Sequence, residues 1–242
     1  MVNNAIILLS GGLDSVTTLF YVKNNIRPDK IIAIFFDYNQ RPIKEELYCT
    51  KKITKKLNIP LKVVKLPWLG KLSTALINKN QDYPKTSMED LKNIEKERQE
   101  SILWWVPCRN TIFISIALAY AESKFISEKE RYDIYIGVKK EGRVPIKDGT
   151  QQFIEKMNSL SEDATYHGGY KIIAPIIDLD KDEIVKLAQE LNAPLDLTFS
   201  CYIGDGLENN KPIHCGVCTN CRQIQAGFYW SGIEDPSLYK RI

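Results

Sequence analysis

The chain has 242 residues, of which 44% are hydrophobic and 26% charged, and its formal net charge is +3. Such a length and balance describe a globular chain with a sizeable core, as one large domain or a domain with a small appendage. The small net charge excludes a strongly basic nucleic-acid binder. No apolar run reaches the length of a membrane span, and the first residues lack a basic segment with a cleavage site, so a cytoplasmic location is expected.

Residues 4–9 read as a buried strand. They lead into Ser10-Gly11-Gly12-Leu13-Asp14-Ser15, and residues 14–23 carry a helical pattern. A strand, a tight glycine turn and a helix start aim backbone N–H groups and a helix dipole at one anion. The Walker-type loop would end in Gly-Lys-Ser/Thr, and no Lys follows here. Asp14 instead offers a carboxylate to a metal-bound pyrophosphate. The plain alternative is a glycine-rich turn with no ligand. The pattern Ser-Gly-Gly-x-Asp-Ser resembles the PP-loop of ATP pyrophosphatases, which split ATP into AMP and pyrophosphate.

Residues 31–36 form the second expected strand, followed by the polar run Asp37-Tyr38-Asn39-Gln40-Arg41 at the strand end where parallel sheets bind ligands. A helix over 42–57 and a strand over 61–66 continue an alternation that predicts a parallel sheet covered by helices on both faces. Residues 67–101 are less regular, and the densely charged 88–100 reads as a solvated helix or mobile flap, with a lid as the alternative. Trp104 and Trp105 read as packing residues. In Val106-Pro107-Cys108-Arg109-Asn110, Arg109 can clamp phosphate or carboxylate through its planar fork. Asn110 is a ligand or a helix cap, and Cys108 a small hydrophobe or a reactive thiol. A buried helix over 110–124 and a strand over 132–138 follow. Gly137 in that strand permits close approach of a nucleotide, and Lys139 offers a charge to phosphate. Helices over 151–161 and 181–191 flank a short strand at 171–174.

Cys201, Cys215, Cys218 and Cys221 gather near the C-terminus, the last three as Cys-x2-Cys-x2-Cys. Two-residue spacing lets thiolates converge on one tetrahedral ion, and in a reducing compartment a structural Zn2+ is the leading reading. An iron–sulfur cluster is the alternative. His214 is a spare ligand that four Cys make unnecessary, and His167 reads as a surface residue. The expected organisation is a nucleotide-binding domain over 1–195 with a zinc-binding segment over 196–242 packed on it.

The ordered set SGGLDS, FFDYNQR, VPCRNTIFISIALAYAE, YIGV, FSCY, CGVCTNCR and GIEDP resembles the 7-cyano-7-deazaguanine synthase (QueC-like) family of PP-loop enzymes, over most of the chain. The resemblance implies an α/β fold: a doubly wound, mostly parallel, adenine-nucleotide α-hydrolase-like sheet with a C-terminal zinc segment. It implies ATP, Mg2+ and Zn2+ as cofactors, a homodimer, and conversion of 7-carboxy-7-deazaguanine, ammonia and ATP into the nitrile. On this reading ATP is held by Leu9, Ser10, Gly11, Gly12, Leu13, Asp14, Ser15, Val16, Thr17, Thr18 and Leu19, with Gly137. The candidate catalytic residues are Ser10, Asp14, Ser15 and Arg109. The acid is bound by Tyr38, Gln40, Arg109, Asn110, Lys139 and Asp148, and the metal by Cys201, Cys215, Cys218 and Cys221. The interval 139–149 departs from the family pattern: Asp148 falls on the family's second acid, but Gly142 stands at the first. Pro42 follows Arg41 where the family usually has His. A paralogue that joins a deazapurine acid to another amine, on a protein in a defence system, is therefore a second expectation. A tRNA-thiolating PP-loop enzyme using Cys108 is a third, and a non-enzymatic zinc-ribbon adaptor, which leaves SGGLDS unexplained, is a fourth.

Overall fold

A computed structural model of the chain describes residues 4–140 and 146–240. The first part alternates β1 (Asn4–Leu8), α1 (Leu13–Tyr21), β2 (Ile31–Asp37), α2 (Ile43–Leu57) and β3 (Leu61–Lys65). After α3 (Pro67–Leu72) and α4 (Ile94–Leu103) come α5 (Arg109–Glu128), β4 (Tyr132–Ile136), α6 (Gln151–Ala164), β5 (Ile172–Ile173) and α7 (Lys181–Glu190). The tail adds β6 (Leu207–Glu208), β7 (Lys211–His214), α8 (Thr219–Ser231) and β8 (Leu238–Tyr239).

The five strands of the main sheet lie in the order β3-β2-β1-β4-β5, and every pairing is parallel. Side chains alternate across a strand, and β1 has no polar face because both faces are covered. Ile6 and Leu8 pack with Ile114, Ala117 and Ala121 of α5, while Ala5 and Ile7 pack with Val16 and Leu19 of α1 and Ile53 of α2. This is the doubly wound α/β architecture expected from the alternation. The strand order reverses at β1, between β2 and β4, so the crevice at the C-terminal ends of these strands opens over the Ser10–Ser15 turn.

Some boundaries differ from the sequence reading for local reasons. The helix expected over 14–23 ends as α-helix at Tyr21 and continues as one wide turn, Val22–Ile26, closed by Arg27 in the left-handed region at φ 55°. The helix expected from 110 starts at Arg109, because Cys108 takes φ 54° and turns the chain into it. Residues 88–100 are not a detached flap. Residues 90–92 form a short 3-10 turn and 94–100 the larger part of α4, a largely solvated helix in which Glu100 alone is buried, its carboxylate accepting hydrogen bonds from the hydroxyls of Thr86 and Thr219. No helix among the described residues is long and apolar enough to cross a membrane.

The C-terminal residues pack on the main body through two layers. Ile224 and Phe228 of α8 join Ile184, Val185 and Ala188 of α7 and Leu13 in one apolar cluster. The four cysteines, Phe199 and Cys49 of α2 form another.

Two glycines set the position of the Ser10–Ser15 turn. Gly11 takes φ 83°, and a Cβ there would lie 2.7 Å from the carbonyl oxygen of Glu46 on α2. A Cβ on Gly137, just past β4, would lie 2.7 Å from the backbone N and Cα of Ser15. The Gly137→Ala variant is therefore expected to lose about 1–3 kcal/mol of stability, as overpacking against backbone does. Urea denaturation checks this, and an unchanged midpoint contradicts the close approach.

Candidate active site

The crevice above β1, β2 and β4 holds a cavity of about 310 Å³. One wall is the turn, represented by Leu9, Ser10, Gly12, Asp14 and Ser15, with Gly137 beside it. Its hydroxyls are closed on one another: Ser10 and Ser15 share a hydrogen bond of 3.1 Å, and the Gly12 N–H donates to Ser10 Oγ at 3.3 Å. The Leu13 N–H donates to Ser200 Oγ at 3.1 Å. Lys181, the first residue of α7, reaches in and donates from Nζ to both Asp14 oxygens, at 2.7 and 2.9 Å. The capping box of Asp180 with Glu183 fixes the start of α7 and so the origin of that side chain.

The residues expected to hold the nucleotide divide. Leu9, Ser10, Gly12, Asp14, Ser15 and Gly137 line the cavity, whereas Gly11, Leu13, Val16, Thr17, Thr18 and Leu19 do not. Val16, Thr17, Thr18 and Leu19 are fully buried, and the Thr17 hydroxyl donates to the Leu13 carbonyl within the helix. The sequence expectation placed these four at the nucleotide, and their side chains do not border the cavity. After one turn, α1 points into the core, so its later side chains cannot face the crevice.

The opposite wall carries the polar residues expected to bind the acid: Tyr38, Gln40, Arg109, Asn110, Lys139 and Asp148 all line the cavity. Arg109 hydrogen-bonds to Tyr38, and its Nε donates to Asn110 Oδ1 at 3.3 Å. Burial works against its charge, but Tyr38, Asp148 and Tyr202 outweigh that and hold the guanidinium protonated more firmly than usual. Burial raises the Asp148 carboxyl, against the pull of Arg109 and the Asn110 N–H. Asn110 is no helix cap: Cys108 occupies that position, and Asn110 Nδ2 donates to the Asp148 carbonyl at 2.8 Å. Burial pushes the Tyr38 hydroxyl up to about 12. Lys139 donates to the Lys140 carbonyl at 3.0 Å. Of the departing interval, residues 141–145, including Gly142, lie outside the described residues.

Aromatic rings close the cavity. Phe36 and Phe113 stack with centroids 4.0 Å apart, and Trp104 packs on Tyr202 at 4.7 Å. Trp104 is buried as expected, while Trp105 is 37% exposed although it too reaches the cavity. Cys108 is exposed and is not among the lining residues.

The Sγ atoms of Cys201, Cys215, Cys218 and Cys221 lie within 4.8 Å of one another, with Cys215 and Cys221 at 3.9 Å. A tetrahedral ion bound to thiolates at about 2.3 Å requires sulfur–sulfur edges of about 3.8 Å, so the cluster could hold a metal with little movement. Backbone N–H groups of Ile203, Gly204 and Cys215 approach Cys201 Sγ at 3.3–3.4 Å, the pattern that stabilises thiolates. His214 is buried and points away, its Nδ1 against the Leu238 carbonyl at 3.3 Å, and burial lowers it to about 4.

A family model described as "Queuosine biosynthesis protein QueC" matches residues 4–232. The chain belongs to the QueC family. It is 37% identical over 240 residues to the 7-cyano-7-deazaguanine synthase of Methanobrevibacter smithii, covering 99% of each chain. It is 32% identical to the enzyme of the same name from Pyrococcus furiosus, over 99% of this chain and 98% of that one. Among solved structures, U34-tRNA thiolase NcsA from Methanococcus maripaludis aligns at 18% identity with a TM-score of 0.44, covering 98% of this chain and 77% of that one.

Three features of this QueC-family site are absent from the sequence reading. Lys181 was legible as a helix start but not as the partner of a residue 167 positions earlier. Ser200 occupies a loop amide through FSCY, a segment that drew notice for its cysteine. Glu46, on the first turn of α2, lines the cavity and accepts a hydrogen bond from Gln40 Nε2 at 2.8 Å. Gln40 borders the cavity too, but it is only 2% exposed and its amide is spent on the backbone and on Glu46. Burial chiefly pushes the Glu46 carboxyl up to about 8 from an ordinary 4.5.

The shift has a sign that can be measured. Unfolded, Glu46 ionises near 4.5; folded, it keeps its proton until about 8. Between those values the native state binds more protons, so this group makes stability fall as pH rises. The Glu46→Gln variant is expected to gain stability relative to the wild type from pH 5 to pH 8. Chemical denaturation across that range checks it, and parallel stability curves contradict it.

Proposed function

We propose that the chain uses ATP to adenylate the carboxylate of 7-carboxy-7-deazaguanine, and that ammonia then converts it to the nitrile 7-cyano-7-deazaguanine. The supporting observation is that one cavity is bounded by the Ser10–Ser15 turn on one side and by Arg109, Tyr38, Asn110 and Asp148 on the other. Membership of the QueC family and the names of the curated relatives agree with it.

A carboxylate resists attack because a nucleophile must add to a group already bearing negative charge. Transfer of AMP to its oxygen creates a leaving group and releases pyrophosphate. In the proposed arrangement, the turn's backbone N–H groups and helix dipole receive the phosphates, and the Ser10 and Ser15 hydroxyls turn from each other toward phosphate oxygens. Lys181 supplies the cation that a Walker loop carries in its own sequence. Asp14, released from Lys181, would hold Mg2+, which neutralises phosphate charge when bound. Arg109 clamps the acid or the acyl phosphate, and Asp148 reads a donor edge of the ring between the aromatic walls. Ammonia forms the amide; a second adenylation, on the amide oxygen, and elimination give the nitrile. The protein's part is mainly orientation and charge stabilisation.

Incubation with 7-carboxy-7-deazaguanine, ATP, Mg2+ and ammonium is expected to yield the nitrile by mass spectrometry, with AMP and pyrophosphate. The Arg109→Ala variant is expected to lose at least about 100-fold in kcat/KM, the scale of one lost charge-stabilising donor. Amide as the only product would instead favour the paralogue.

The four cysteines are proposed to hold Zn2+ as a closed structural site, which leaves no position for water and ties the tail to the body. Elemental analysis should find about one zinc per chain, and Cys218→Ser should lower both metal content and melting temperature. Iron with visible charge-transfer absorption would overturn the zinc assignment.

A further inference from the structure

Gln40 invites assignment as a substrate ligand, but its hydrogen-bonding groups are already committed. Its Oε1 accepts from the Tyr38 N–H at 2.8 Å, and its Nε2 donates to the Phe36 carbonyl at 3.0 Å and to Glu46 Oε2 at 2.8 Å. Both amide protons are used, and the side chain is buried. Its effect is to fix one oxygen of Glu46 at the cavity wall. Among the described residues no other hydrogen bond to the Glu46 carboxyl is formed, which leaves its second oxygen for a ligand.

The other carboxyl groups of the cavity are placed differently. Asp14 is paired with Lys181, Glu100 is held by Thr86 and Thr219, and Asp148 accepts from the Asn110 N–H. Glu97, on α4, has no hydrogen bond among the described residues to fix its carboxyl. No histidine lines the cavity, and burial raises Tyr38 to about 12. Asp148 Oδ1 also lacks a hydrogen-bond partner but is sealed from solvent, whereas Glu46, among the described carboxyl groups of the cavity, joins an orientation fixed by Gln40 to a second oxygen without a partner at the wall.

The reaction proposed above needs such a group, and the inference rests on that reading. Forming the carbon–nitrogen bond leaves a surplus proton on nitrogen, which must depart before the adenylate is expelled cleanly. We propose that Glu46 is the general base of this step and that Gln40 is its positioning residue. The ammonia lone pair forms the C–N bond to the acyl carbon. The Glu46 carboxylate takes one N–H proton, the C–O bond to AMP breaks, and AMP leaves with that electron pair. The products are the carboxamide, AMP and protonated Glu46.

The surroundings tune the group to this task. Burial raises its proton affinity, and Glu45 on the same helix adds to that; the Gln40 hydrogen bond and the Arg109 charge oppose it. Tyr38 and Cys49 also lie close enough to feel its charge, and both stay neutral well past neutrality, so they add none of their own. A carboxyl that ionises near 8 is matched to a proton from an ammonium-like nitrogen.

The test separates the two halves of the reaction. With 7-carboxy-7-deazaguanine, ATP and Mg2+, the single-turnover release of pyrophosphate is measured for each variant as the reference against which its second half is read, and Glu46→Gln is expected to lose far less of it than of the second half. On addition of ammonia, carboxamide formation by Glu46→Gln is expected to fall by about 100-fold or more. At constant free ammonia, the wild-type rate of that second half should rise with pH along a limb near 8, and Glu46→Gln should lack the limb. Gln40→Leu should move the limb to higher pH, because the bond that favours the ionised carboxylate is gone. Glu46→Asp, which keeps a carboxyl, should recover part of the rate. Carboxamide formation by Glu46→Gln at the wild-type rate would overturn the proposal, as would a parallel loss of pyrophosphate release. Absence of acid-dependent pyrophosphate release by the wild type would instead overturn the adenylation reading itself.

Discussion

The site depends on a close backbone contact: the Ser10–Ser15 turn is pressed between the exit of β4 and the first turn of α2. Gly137 lies so near the Ser15 backbone that a single methyl group has no room, and Gly11 stands in the same relation to the Glu46 carbonyl. These contacts fix where the helix dipole and loop amides of α1 point. They also bring Glu46 to the rim of the same crevice, so one packing constraint sets both the turn proposed to receive phosphate and a carboxyl of the same cavity. A parallel sheet whose strand order reverses at β1 supplies the opening, and the two glycines decide its floor.

The tail contributes to the cavity from a distance. Thr86 donates its N–H to the Val217 carbonyl between Cys215 and Cys218, and its own carbonyl accepts from Arg222 Nε, both at 2.8 Å. The Thr86 and Thr219 hydroxyls then meet the buried Glu100 carboxylate on α4. By this path the cysteine knuckle holds α4 in place, and α4 with the residues after it places Glu97, Ser101 and Trp104 on the cavity wall. An acidic, poorly amphipathic helix thus keeps its position through polar contacts to the knuckle rather than through an apolar face of its own.

Much of this was legible in the chain. Continuous apolar runs at 4–9 and 31–36 marked strands buried on both faces, and the glycine turn between strand and helix marked a segment that borders the cavity. Arg109 and Asn110 reach one wall because strand-end junctions of a parallel sheet converge on one edge, while Asp148 was singled out only by the family resemblance. What was not legible required three dimensions. Gln40 looked like a ligand because it is polar at a strand end, yet its amide is consumed by backbone and by Glu46. Lys181 serves a loop far away in sequence, and no local pattern could show it. Val16 to Leu19 follow the turn in sequence, but helical rotation carries them into the core. Residues 88–100 looked solvated from their charges and largely are, but their charges did not show that Glu100 is sealed against two threonines while Asp90 and Asn93 tie the start of α4.

The central claim is that this cavity joins the α-phosphate of ATP to a deazapurine carboxylate. Isotope exchange between pyrophosphate and ATP, run without ammonia, tests it most directly, since reversible acyl-adenylate formation returns label to ATP only when the acid is present. Adenylation predicts exchange that requires 7-carboxy-7-deazaguanine and Mg2+ and is abolished in an Asp14→Ala variant. Exchange that proceeds equally without the acid, or none with it, would contradict the claim.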